Sequence, residues 1–421
     1  MQAPSANAIP DEYLAFASRL TVNGILSDPW LEGRPRFREQ PIVLSHDVHT
    51  QLTRAAELVA AVYNQVALVC AADAAATERF FGLTPYQKRM WEMSAPLWHG
   101  LARADVFLTE AGPVVCELNS DTPSGEAEAV LLNAAVQPSP GLVDPNRQLE
   151  PRFCALIEAV AAQLVRTDGP LTVGIIYPTE VIEDLSMILL YQRWFESRGW
   201  RVVLGSPFNL RRMGDRAALF DTPCDVFVRH YKTDWWGERE SIWDDGNPFP
   251  DSVPLVGPLA IILEAARAGR CAVVNPFGSV LTQNKRAMAF MWEELARFPL
   301  WAQQAICQYM PYTARLEALS HDALSDREQW VLKSDYGCEG AEVIVGALTS
   351  DTEWQLSLTH ARARRWIAQR YFRAVTDAAG EITNYGVYLV GGAASGYLCR
   401  VHEGATDYDA LTVPLFIAGA P

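Results

Sequence analysis

Charged and amide side chains recur at regular spacing in the segment RADVFLTEAGPVVCELNSDTPSGE, residues 103–126. The apolar residues between them predict two short β-strands joined by a tight turn. Arg103 and Asp105 are two residues apart, and so are Glu117 and Asn119, so each pair lies on one face of its strand. This spacing places side chains that can do chemistry on strands whose other residues are apolar.

The loop between these two strands sets their register. A three-residue loop at Glu110–Gly112 would place Asp105 opposite Glu117. The same loop would place Arg103 opposite Asn119, whereas a four-residue loop would shift the pairing by one residue. In the first register two carboxylates and an amide oxygen converge beside an arginine, and hard oxygen ligands of this kind suit Mg²⁺. The alternative is a surface hairpin whose charges are solvated.

The bulk composition is typical of a globular enzyme with large cores. The chain has 421 residues, of which 49% are hydrophobic and 20% charged, and this length predicts two or three structural units. Its net charge of −15 opposes nonspecific binding to nucleic acid and to anionic membranes, so we expect neither as a partner. An anionic nucleotide would need a local cationic pocket and a metal ion.

Targeting and cysteine patterns predict a cytoplasmic protein. No apolar run approaches the roughly 20 residues that span a bilayer, and the N-terminal residues MQAPSANAIPDEY lack the basic and apolar regions of a signal peptide. The eight cysteines contain no CxxC pair, and several lie among apolar residues. Scattered, buried thiols are typical of a reducing compartment rather than of a disulfide scaffold or a zinc site.

The order of predicted elements indicates a mixed α/β protein with three regions. Residues 1–150 contain a mainly helical part, extending to a further helix at Ser94–Ala104, and the metal-binding hairpin. Residues 151–274 alternate strands with helices, which predicts βαβ units around a parallel sheet and an α/β substrate module. Residues 275–421 carry two lysines and a glycine loop, and we expect them to bind a nucleotide.

A lysine followed by a glycine-containing loop occurs in VLKSDYGCEGAEVIVG, residues 331–346. Lys333 lies near the end of a predicted strand, and Gly337 and Gly340 let the backbone amides of the next loop approach phosphate oxygens. The chain has no Walker motif GxxxxGK[ST], and a plain hairpin would explain the loop equally well.

Other residues complete a predicted nucleotide site. Lys285 lies where a loop becomes a helix, and Arg400 ends the strand GYLCR. The segment Gln369–Phe372 follows a predicted strand and could offer backbone groups to a planar base. Nucleotide binding needs such parts: lysines for phosphates, a cover loop, an apolar slot with a backbone edge, and carboxylates for a metal.

These motifs together resemble the circularly permuted ATP-grasp ligases of the glutathionylspermidine synthase type. The shared features, in order, are R-x-D and E-x-N separated by eleven residues, the NK of QNKRAM, the K…YGCEG loop and the closing GVYLVGGAASGYLCR. The resemblance runs from about residue 95 to near the C-terminus, and we expect this chain to lack the family's separate amidase domain. It implies a circularly permuted ATP-grasp-type fold with a pre-ATP-grasp-like α/β substrate module, and it makes a homodimer plausible.

The resemblance also implies roles for individual residues. Mg²⁺ on the ATP phosphates would be held by Asp105, Glu117 and Asn119. Charge on the transferring phosphoryl group or the substrate carboxylate would be neutralised by the catalytic residues Arg103 and Arg400. The nucleotide would be bound by Lys285, Lys333, Tyr336, Gly337, Gly340, Gln369, Arg370 and Tyr371. The acid and amine substrates would be bound by Thr122, Ser124, Glu183, Asp184, Lys232 and Thr233.

The activity that the resemblance implies is amide-bond formation by an ATP-dependent carboxylate–amine ligase, with ATP and Mg²⁺ as cofactors. In such a ligase a carboxylate takes the γ-phosphoryl group of ATP to form an acyl phosphate, and an amine then displaces phosphate. Joining of amino acids or small peptides is expected, with a γ-glutamyl amide as the favoured product. Alternatives are a glutathionylspermidine-type peptide–polyamine ligase, an ATP-dependent phosphotransferase, and a catalytically dead ATP-grasp binding protein.

Overall fold

The structure is a computed structural model that describes residues 11–164, 169–180, 184–238, 255–337, 342–403 and 409–419. Two predicted site residues, Glu183 and Gly340, lie outside these ranges. Within them the protein combines α-helices with several β-sheets, which confirms the predicted mixed α/β fold class.

The N-terminal region begins with short elements and continues as a helical layer. Its elements are α1 (Asp11–Thr21), β1 (Trp30–Leu31), β2 (Arg34–Pro35), β3 (Ile42–Leu44), α2 (His46–Ala72), α3 (Ala74–Phe81) and α4 (Pro85–Ser94). Ser45 caps α2 by accepting a hydrogen bond from the Val48 amide. Helix α2 is long and apolar enough to cross a bilayer by length and composition alone, but half of its most apolar stretch is buried inside the protein.

The hairpin follows α4 directly, so the predicted helix at Ser94–Ala104 is wrong. Helix α4 ends at Ser94, and β4 (Leu101–Thr109) and β5 (Gly112–Asn119) come next. Pro96 separates the helix from the strand, because proline lacks an amide hydrogen and disfavours a helical conformation in the residue before it.

The middle of the chain alternates helices with strands, as predicted. Its elements are α5 (Glu126–Val136), β6 (Leu142–Val143), α6 (Leu149–Ala161), β7 (Thr172–Ile176), α7 (Leu185–Ser197), β8 (Arg201–Gly205), β9 (Leu210–Met213), β10 (Arg216–Leu219), β11 (Thr222–Pro223), β12 (Val226–Arg229), α8 (Trp235–Glu238), α9 (Val256–Arg267) and β13 (Ala272–Val274). Strands β13, β12, β7 and β8 lie side by side in that order and pair in parallel. The βαβ interpretation of this module is therefore confirmed.

The last part of the chain supplies the predicted nucleotide-binding elements. They are α10 (Ser279–Thr282), α11 (Arg286–Glu293), α12 (Leu300–Tyr309), β14 (Thr313–Arg315), β15 (Trp330–Ser334), β16 (Val343–Val345), α13 (Asp351–Arg362), β17 (Trp366–Arg370), β18 (Ile382–Val390), β19 (Ala393–His402), β20 (Leu411–Val413) and β21 (Leu415–Ala418). Strands β14, β17, β15 and β16 form an antiparallel sheet in that order.

A five-stranded antiparallel sheet combines the hairpin with strands from the C-terminal region. Its order is β20, β19, β18, β4 and β5, so the hairpin pairs with strands from the C-terminal region and β5 lies at the edge. Val106 on β4, for example, lies opposite Tyr385 on β18. The hairpin assigned to residues 1–150 thus shares a sheet with residues 275–421, and the boundaries between the three regions stay a prediction.

Two large hydrophobic clusters support the site from behind. One packs α2 against the five-stranded sheet together with α9, α11 and α12, and the other packs α5, α6 and α7 against the parallel sheet. A smaller cluster lies between α13 and strands β15 and β17. All seven cysteines in the described ranges are free and five are buried, which agrees with the predicted reduced thiols.

Gly278 marks a close approach between the segment leading into α10 and the chain that precedes β4. A β-carbon at Gly278 would lie 1.9 Å from the carbonyl oxygen of Leu97. We therefore expect Gly278→Ala to push the two backbones apart and to lower the free energy of unfolding by about 1–3 kcal/mol or more, measured by urea denaturation. Gly257→Ala is the matched control, because a β-carbon there, in α9, meets no atom within 4 Å and alanine favours a helix. Equal losses in the two variants would contradict the close contact.

Candidate active site

The strand pairing brings the predicted metal ligands together. Asp105 lies opposite Glu117, and Arg103 lies opposite Asn119. The predicted register is therefore confirmed. Directly opposite residues of an antiparallel pair lie on the same face of the sheet, and on this face Asp105 and Glu117 meet Arg400 and Lys285 of the C-terminal region.

The loop that produces this register differs from the predicted one. Thr109 pairs with Gly112, so the turn contains two residues rather than three. A β-bulge restores the predicted register. Cys116 is an extra residue on β5 that lies between the pair Asp105–Glu117 and the pair Val106–Val115. The prediction of a three-residue loop is thus wrong, and the bulge explains why the pairing that it implied is nevertheless present.

Asp105 is buried between two arginines from different strands. Arg103 donates to both of its carboxylate oxygens, through Nε at 2.8 Å and Nη2 at 3.3 Å, and Arg400 on β19 donates through Nη2 at 3.3 Å. Burial alone would raise the pKa of Asp105, but the two guanidinium groups outweigh it and hold the pKa below its usual value. Asp105 is therefore a carboxylate at neutral pH, and both predicted catalytic arginines lie beside it.

Glu117 faces the two predicted phosphate-binding lysines. Lys285 Nζ lies 3.8 Å from Glu117 Oε2, and Asn119 Nδ2 donates to Glu117 Oε1 at 3.4 Å. Burial alone would raise the pKa of Glu117, but Lys285 and Lys333 outweigh it and lower the pKa. Because Asn119 donates through its nitrogen, its amide oxygen is the atom left to bind a cation.

The carbonyl oxygen of the bulged residue Cys116 connects the hairpin to the four-stranded sheet. It accepts hydrogen bonds from Lys333 Nζ at 3.3 Å and from Gln369 Nε2 at 3.4 Å. Lys333 lies on β15, Gln369 lies on β17, and both side chains are buried. The bulge therefore places two of the predicted nucleotide-binding residues next to the predicted metal ligands.

Lys285 connects the same site to the segment after β15. Its Nζ donates to the Gly337 carbonyl at 2.5 Å, and its backbone amide donates to the Asp335 carbonyl at 2.8 Å. The hydroxyl of Tyr336 donates to the Val280 carbonyl at 2.6 Å, and burial raises its pKa well above the usual value. The structure thus brings Lys285, Tyr336 and Gly337 together, and their contact with phosphate stays a prediction.

The segment predicted to lie along a planar base has two of its backbone amides committed to other strands. The amide of Arg370 donates to the Tyr312 carbonyl at 2.8 Å, and the amide of Tyr371 donates to the Gln329 carbonyl at 2.8 Å. These two N–H groups are therefore not the donors to a base, because sheet pairing and the adjoining turn use them. The guanidinium of Arg370 lies 4.1 Å from the ring centre of Trp330. Contact of this segment with a nucleotide stays a prediction.

A buried aspartate in the turn after β5 anchors the predicted acid-binding residues. The Asp121 carboxylate accepts hydrogen bonds from Arg229 Nη2, from Ser279 Oγ at 2.7 Å, and from the amide and hydroxyl of Thr233 at 2.7 and 3.1 Å. The side chains of Asp121 and Arg229 are at most 3% exposed. Sequence reasoning missed Arg229, although it ends a buried parallel strand, where α/β proteins commonly bind ligands.

Two amide side chains fix the backbone of the same turn. Asn275 Nδ2 donates to the carbonyls of Leu101, Ser120 and Asp121 at 2.7, 3.1 and 2.9 Å, and its Oδ1 accepts from the Leu101 amide at 2.8 Å. Gln283 Oε1 accepts from the amides of Ser120 and Asp121 at 2.8 and 3.0 Å. These bonds tie the start of β4 to the end of β5, and nothing in the local sequence pattern predicts them.

The predicted acid-binding residues Thr122 and Ser124 are half-buried in this turn. The carbonyl oxygen of Ser124 accepts hydrogen bonds from Arg103 Nη1 at 2.8 Å and from the Tyr388 hydroxyl at 2.9 Å. The turn therefore lies beside the arginine that holds Asp105. Binding of a substrate by its side chains stays a prediction.

The predicted amine-side residues lie around the carboxyl end of β12. Asp184 Oδ2 lies 2.8 Å from His230 Nε2, a partner that sequence reasoning missed. Burial alone would raise the pKa of Asp184, but His230 and Lys232 outweigh it and lower the pKa. The ammonium of Lys232 lies 4.8 Å from the ring centre of Trp235, and Thr233 is bonded into the turn of the hairpin.

The residues at the hairpin fit a hard divalent cation. Two carboxylates and an amide oxygen converge there, whereas the described ranges contain no group of three or more His, Cys, Asp or Glu suited to a metal. The side chain of Asn384 hydrogen-bonds Asp105, and its own Oδ1 is buried without a hydrogen-bond partner among the described residues. An unsatisfied buried acceptor is costly, and a bound cation would offset that cost.

A cavity of about 660 Å³ lies elsewhere, between α5, α6 and the segment that joins them. It is lined by Asn133, Asp144, Asn146 and Glu150 among others, and by none of the predicted site residues. The amide nitrogens of Asn133 and Asn146 already donate to protein groups. The candidate active site is therefore placed at the hairpin rather than in this cavity.

Comparison with known proteins identifies the family of this chain and solved structures with a similar fold. Residues 32–418 match the family described as Glutathionylspermidine synthase preATP-grasp. The fold is similar to that of a glutathione synthetase-like effector from Globodera pallida in its apo form, with a TM-score of 0.61 and 10% identity over 99% of this chain and 100% of that chain. A putative γ-glutamylcysteine synthetase from Methylobacillus flagellatus KT has a TM-score of 0.44 and 12% identity over 87% and 86%. No protein of curated function matches the sequence. At 10% identity the first likeness supports the fold alone.

Breaking the buried pair Asp121–Arg229 should cost far more stability than breaking an exposed pair. Arg229→Met leaves Asp121 buried without its cation, and we expect the free energy of unfolding to fall by about 3–5 kcal/mol, measured by urea denaturation. Arg212→Met is the matched control, because Arg212 and Glu264 are about half exposed and such pairs contribute less than about 1 kcal/mol. Losses of the same size would contradict the central role of Asp121. Adding Asp121→Asn to Arg229→Met should restore part of the loss.

Lys333 should contribute directly to nucleotide binding. Lys333→Met keeps the buried aliphatic stem but removes the charge, and a charge-assisted hydrogen bond of about 1.5–3 kcal/mol corresponds to about a 10- to 150-fold increase in the Kd of Mg²⁺–ATP. Isothermal titration calorimetry measures this change. Lys88→Met, at an exposed lysine paired with Glu78, should leave the Kd unchanged. A Kd for Lys333→Met equal to that of the control would refute the assignment.

Proposed function

The chain belongs to the glutathionylspermidine synthase preATP-grasp family, and from that membership we propose that it is an ATP-dependent carboxylate–amine ligase. Family membership supports a peptide-ligase role in general. The use of ATP, the release of ADP and the nature of the two substrates are parts of the proposal.

One observation carries the proposal: an acidic hairpin with an arginine of its own meets three further cationic side chains that come from separate segments of the chain. Arg103 and Arg400 contact Asp105, Lys285 lies near Glu117, and Lys333 bonds the bulged strand. Fixed cations around hard oxygen ligands are what a polyphosphate and its metal require. The alternative of a surface hairpin with solvated charges does not fit the burial of Arg103, Asp105, Lys285 and Lys333.

The proposed reaction has two steps. A carboxylate oxygen of the acid substrate bonds to the γ-phosphorus of ATP as the bond to the β–γ bridging oxygen breaks, which yields an acyl phosphate and ADP. The amine nitrogen then bonds to the acyl carbon and loses a proton, and inorganic phosphate leaves. Arg103 and Arg400 would offset the negative charge that both substrates bring, and Lys285 and Lys333 would hold phosphate oxygens.

Asp105, Glu117 and Asn119 would hold Mg²⁺, which when bound supplies positive charge to the phosphates. The neighbouring cations keep the pKa values of both carboxyl groups low. Both carboxylates are therefore in the ligating form at neutral pH, and no proton has to leave before a cation binds.

The substrate side of the proposal rests on the turn and on the residues around β12. The hydrophilic turn that contains Thr122 and Ser124 fits a small polar acid. Asp184 is ionised at neutral pH, so it could bind an amine as ammonium and help to remove its proton. Joining of amino acids or small peptides is the favoured reaction, with a γ-glutamyl amide as the favoured product.

Three alternatives remain as competing proposals. A glutathionylspermidine-type ligase would take a polyamine as the amine, and the net charge of −15 is compatible with it but is spread over the chain. A phosphotransferase would use the same nucleotide site on a hydroxyl or amine. A catalytically dead binding protein would not need the full set of cations and carboxylates to stay together.

A cytoplasmic location and a homodimer are also proposed. Gel filtration tests the homodimer.

A screen of substrate pairs tests the reaction. With Mg²⁺ and ATP, the protein should release ADP steadily only when a suitable acid and amine are both present. Pairs of amino acids and amines are screened by coupled ADP detection, and the product is identified by mass spectrometry as the sum of the two substrates minus water. ADP release with a phosphorylated product and no amide would favour the phosphotransferase instead.

Trapping and a variant test the chemical step. Hydroxylamine added to the protein with Mg²⁺, ATP and the acid substrate, but without the amine substrate, should give a hydroxamate, because it captures the acyl phosphate. Glu117→Gln should lower ADP release by about 100-fold or more, since it removes a ligand charge that acts on the transferring phosphoryl group. Glu92→Gln, at an exposed glutamate of α4, is the control. Full activity of Glu117→Gln would rule out its assignment as a metal ligand.

A further inference from the structure

A fully buried carboxyl group lies directly behind the substrate turn. Glu126 is the first residue of α5, two positions after Ser124, and is 0% exposed. Both of its carboxyl oxygens are buried, and neither accepts a hydrogen bond of good geometry in the described part of the chain. The neighbouring hydroxyl of Tyr191 on α7 is also buried, and its interaction with Glu126 opposes the rise in the pKa of that carboxyl group. An ionised carboxylate with so little hydrogen bonding is disfavoured in such surroundings.

The titratable and charged groups that face Glu126 come from four elements: β4, β18, α7 and α5 itself. They are Arg103, Tyr388, Tyr191 and Glu128. Glu128 already pairs with Arg36 at 2.9 Å, and the Tyr388 hydroxyl donates to the Ser124 carbonyl at 2.9 Å. Arg103 is therefore the cation that an ionised Glu126 would attract.

The charge state of Glu126 follows from this environment. Burial raises the pKa of Glu126 to about 8, and Glu128 adds to the increase, although Arg103 and Tyr191 oppose it. Glu126 is thus neutral at pH 7 and becomes charged in mildly alkaline solution. The change would occur beside an arginine that the candidate site uses.

We propose that Glu126 is a positioning residue whose neutral form keeps Arg103 on Asp105 and on the substrate turn. Arg103 binds the Asp105 carboxylate through Nε and Nη2 and the Ser124 carbonyl through Nη1. An ionised Glu126 would offer this guanidinium a second carboxylate in surroundings of low dielectric constant, where the attraction is strong. Arg103 would then leave Asp105, and the metal and phosphate edge of the site would lose its geometry. The inference rests on the proposed ligase function.

The test measures binding of Mg²⁺ with a nonhydrolysable ATP analogue between pH 6.5 and pH 9.5, by isothermal titration calorimetry. Glu126→Gln has the shape of the neutral acid and cannot ionise. One pH unit above the pKa about a tenth of Glu126 stays neutral, so the Kd of the wild type should rise about tenfold between pH 7 and pH 9. In Glu126→Gln the Kd should change by less than about twofold over the same range.

Two further variants keep the test decisive if Glu126→Gln folds poorly. Glu128→Gln, two residues further along α5 and paired with Arg36 in the wild type, is the matched control. It should retain the alkaline loss of binding, with a midpoint at slightly lower pH because the charge of Glu128 raises the pKa of Glu126. Tyr191→Phe removes a group that lowers the pKa of Glu126, so the alkaline loss should move to higher pH. An unchanged midpoint in Tyr191→Phe, or the same alkaline loss in Glu126→Gln as in the wild type, would overturn the inference.

The two levels of the argument fail in different ways. Normal binding at pH 7 with an alkaline loss shared by wild type and Glu126→Gln would overturn the role of Glu126 alone. No binding of the Mg²⁺–nucleotide pair by the wild type at any pH would overturn the proposed function and this inference with it. Thermal melting of the wild type and of each variant at pH 7 and at pH 9 shows that any loss of binding comes from a folded protein.

Discussion

The candidate site depends on one buried carboxylate that is fully paired. Asp121 lies in the turn after β5, and its oxygens are bonded by Arg229 at the end of β12, by Ser279 in α10 and by Thr233. Removing the charges of Asp121 and Arg229 from water is costly, and only a complete set of hydrogen bonds offsets that cost. The hairpin, the parallel sheet and the C-terminal region therefore have one arrangement in which this carboxylate is satisfied. Asp105 and Glu117 are positioned by that arrangement rather than by their own strands alone.

The charges of the site neutralise one another within the protein. The carboxylates assigned to the metal pair with or face the cations assigned to the phosphates, as Asp105 does with Arg103 and Arg400 and as Glu117 does with Lys285. The neighbouring cations thus keep the pKa values of both carboxyl groups low despite burial. In the proposed function, such a site would exchange these internal partners for a metal and a polyphosphate without creating unpaired charge, although the chain as a whole has a net charge of −15.

Sequence reasoning located what depends on local pattern and missed what depends on distant partners. The alternation of side chains gave the facing pairs of the hairpin and the strands of the parallel sheet, because these follow from a period of two residues and from apolar runs. It misplaced the turn, since a two-residue turn plus a bulge at Cys116 gives the same register as a three-residue loop. The contacts of Asn275, Gln283 and Asn384 join residues far apart in the chain, and a single sequence contains no signal for them. The hydrogen bonds that occupy the backbone amides of Arg370 and Tyr371 likewise depend on the pairing of β17 and on the adjoining turn, which the sequence alone does not show.

The five-stranded sheet has a consequence for how the protein is made. Strand β4 pairs with β18, so that residue 106 lies opposite residue 385. During synthesis the hairpin emerges long before its partner strands, and the side of β4 that pairs with β18 stays unpaired until residues 382–390 have left the ribosome. Contacts of such long sequence separation slow folding, and exposed strand edges promote association with other chains. Helix α2, which precedes the hairpin and packs on the same sheet, is translated early enough to cover one face of the hairpin during this interval.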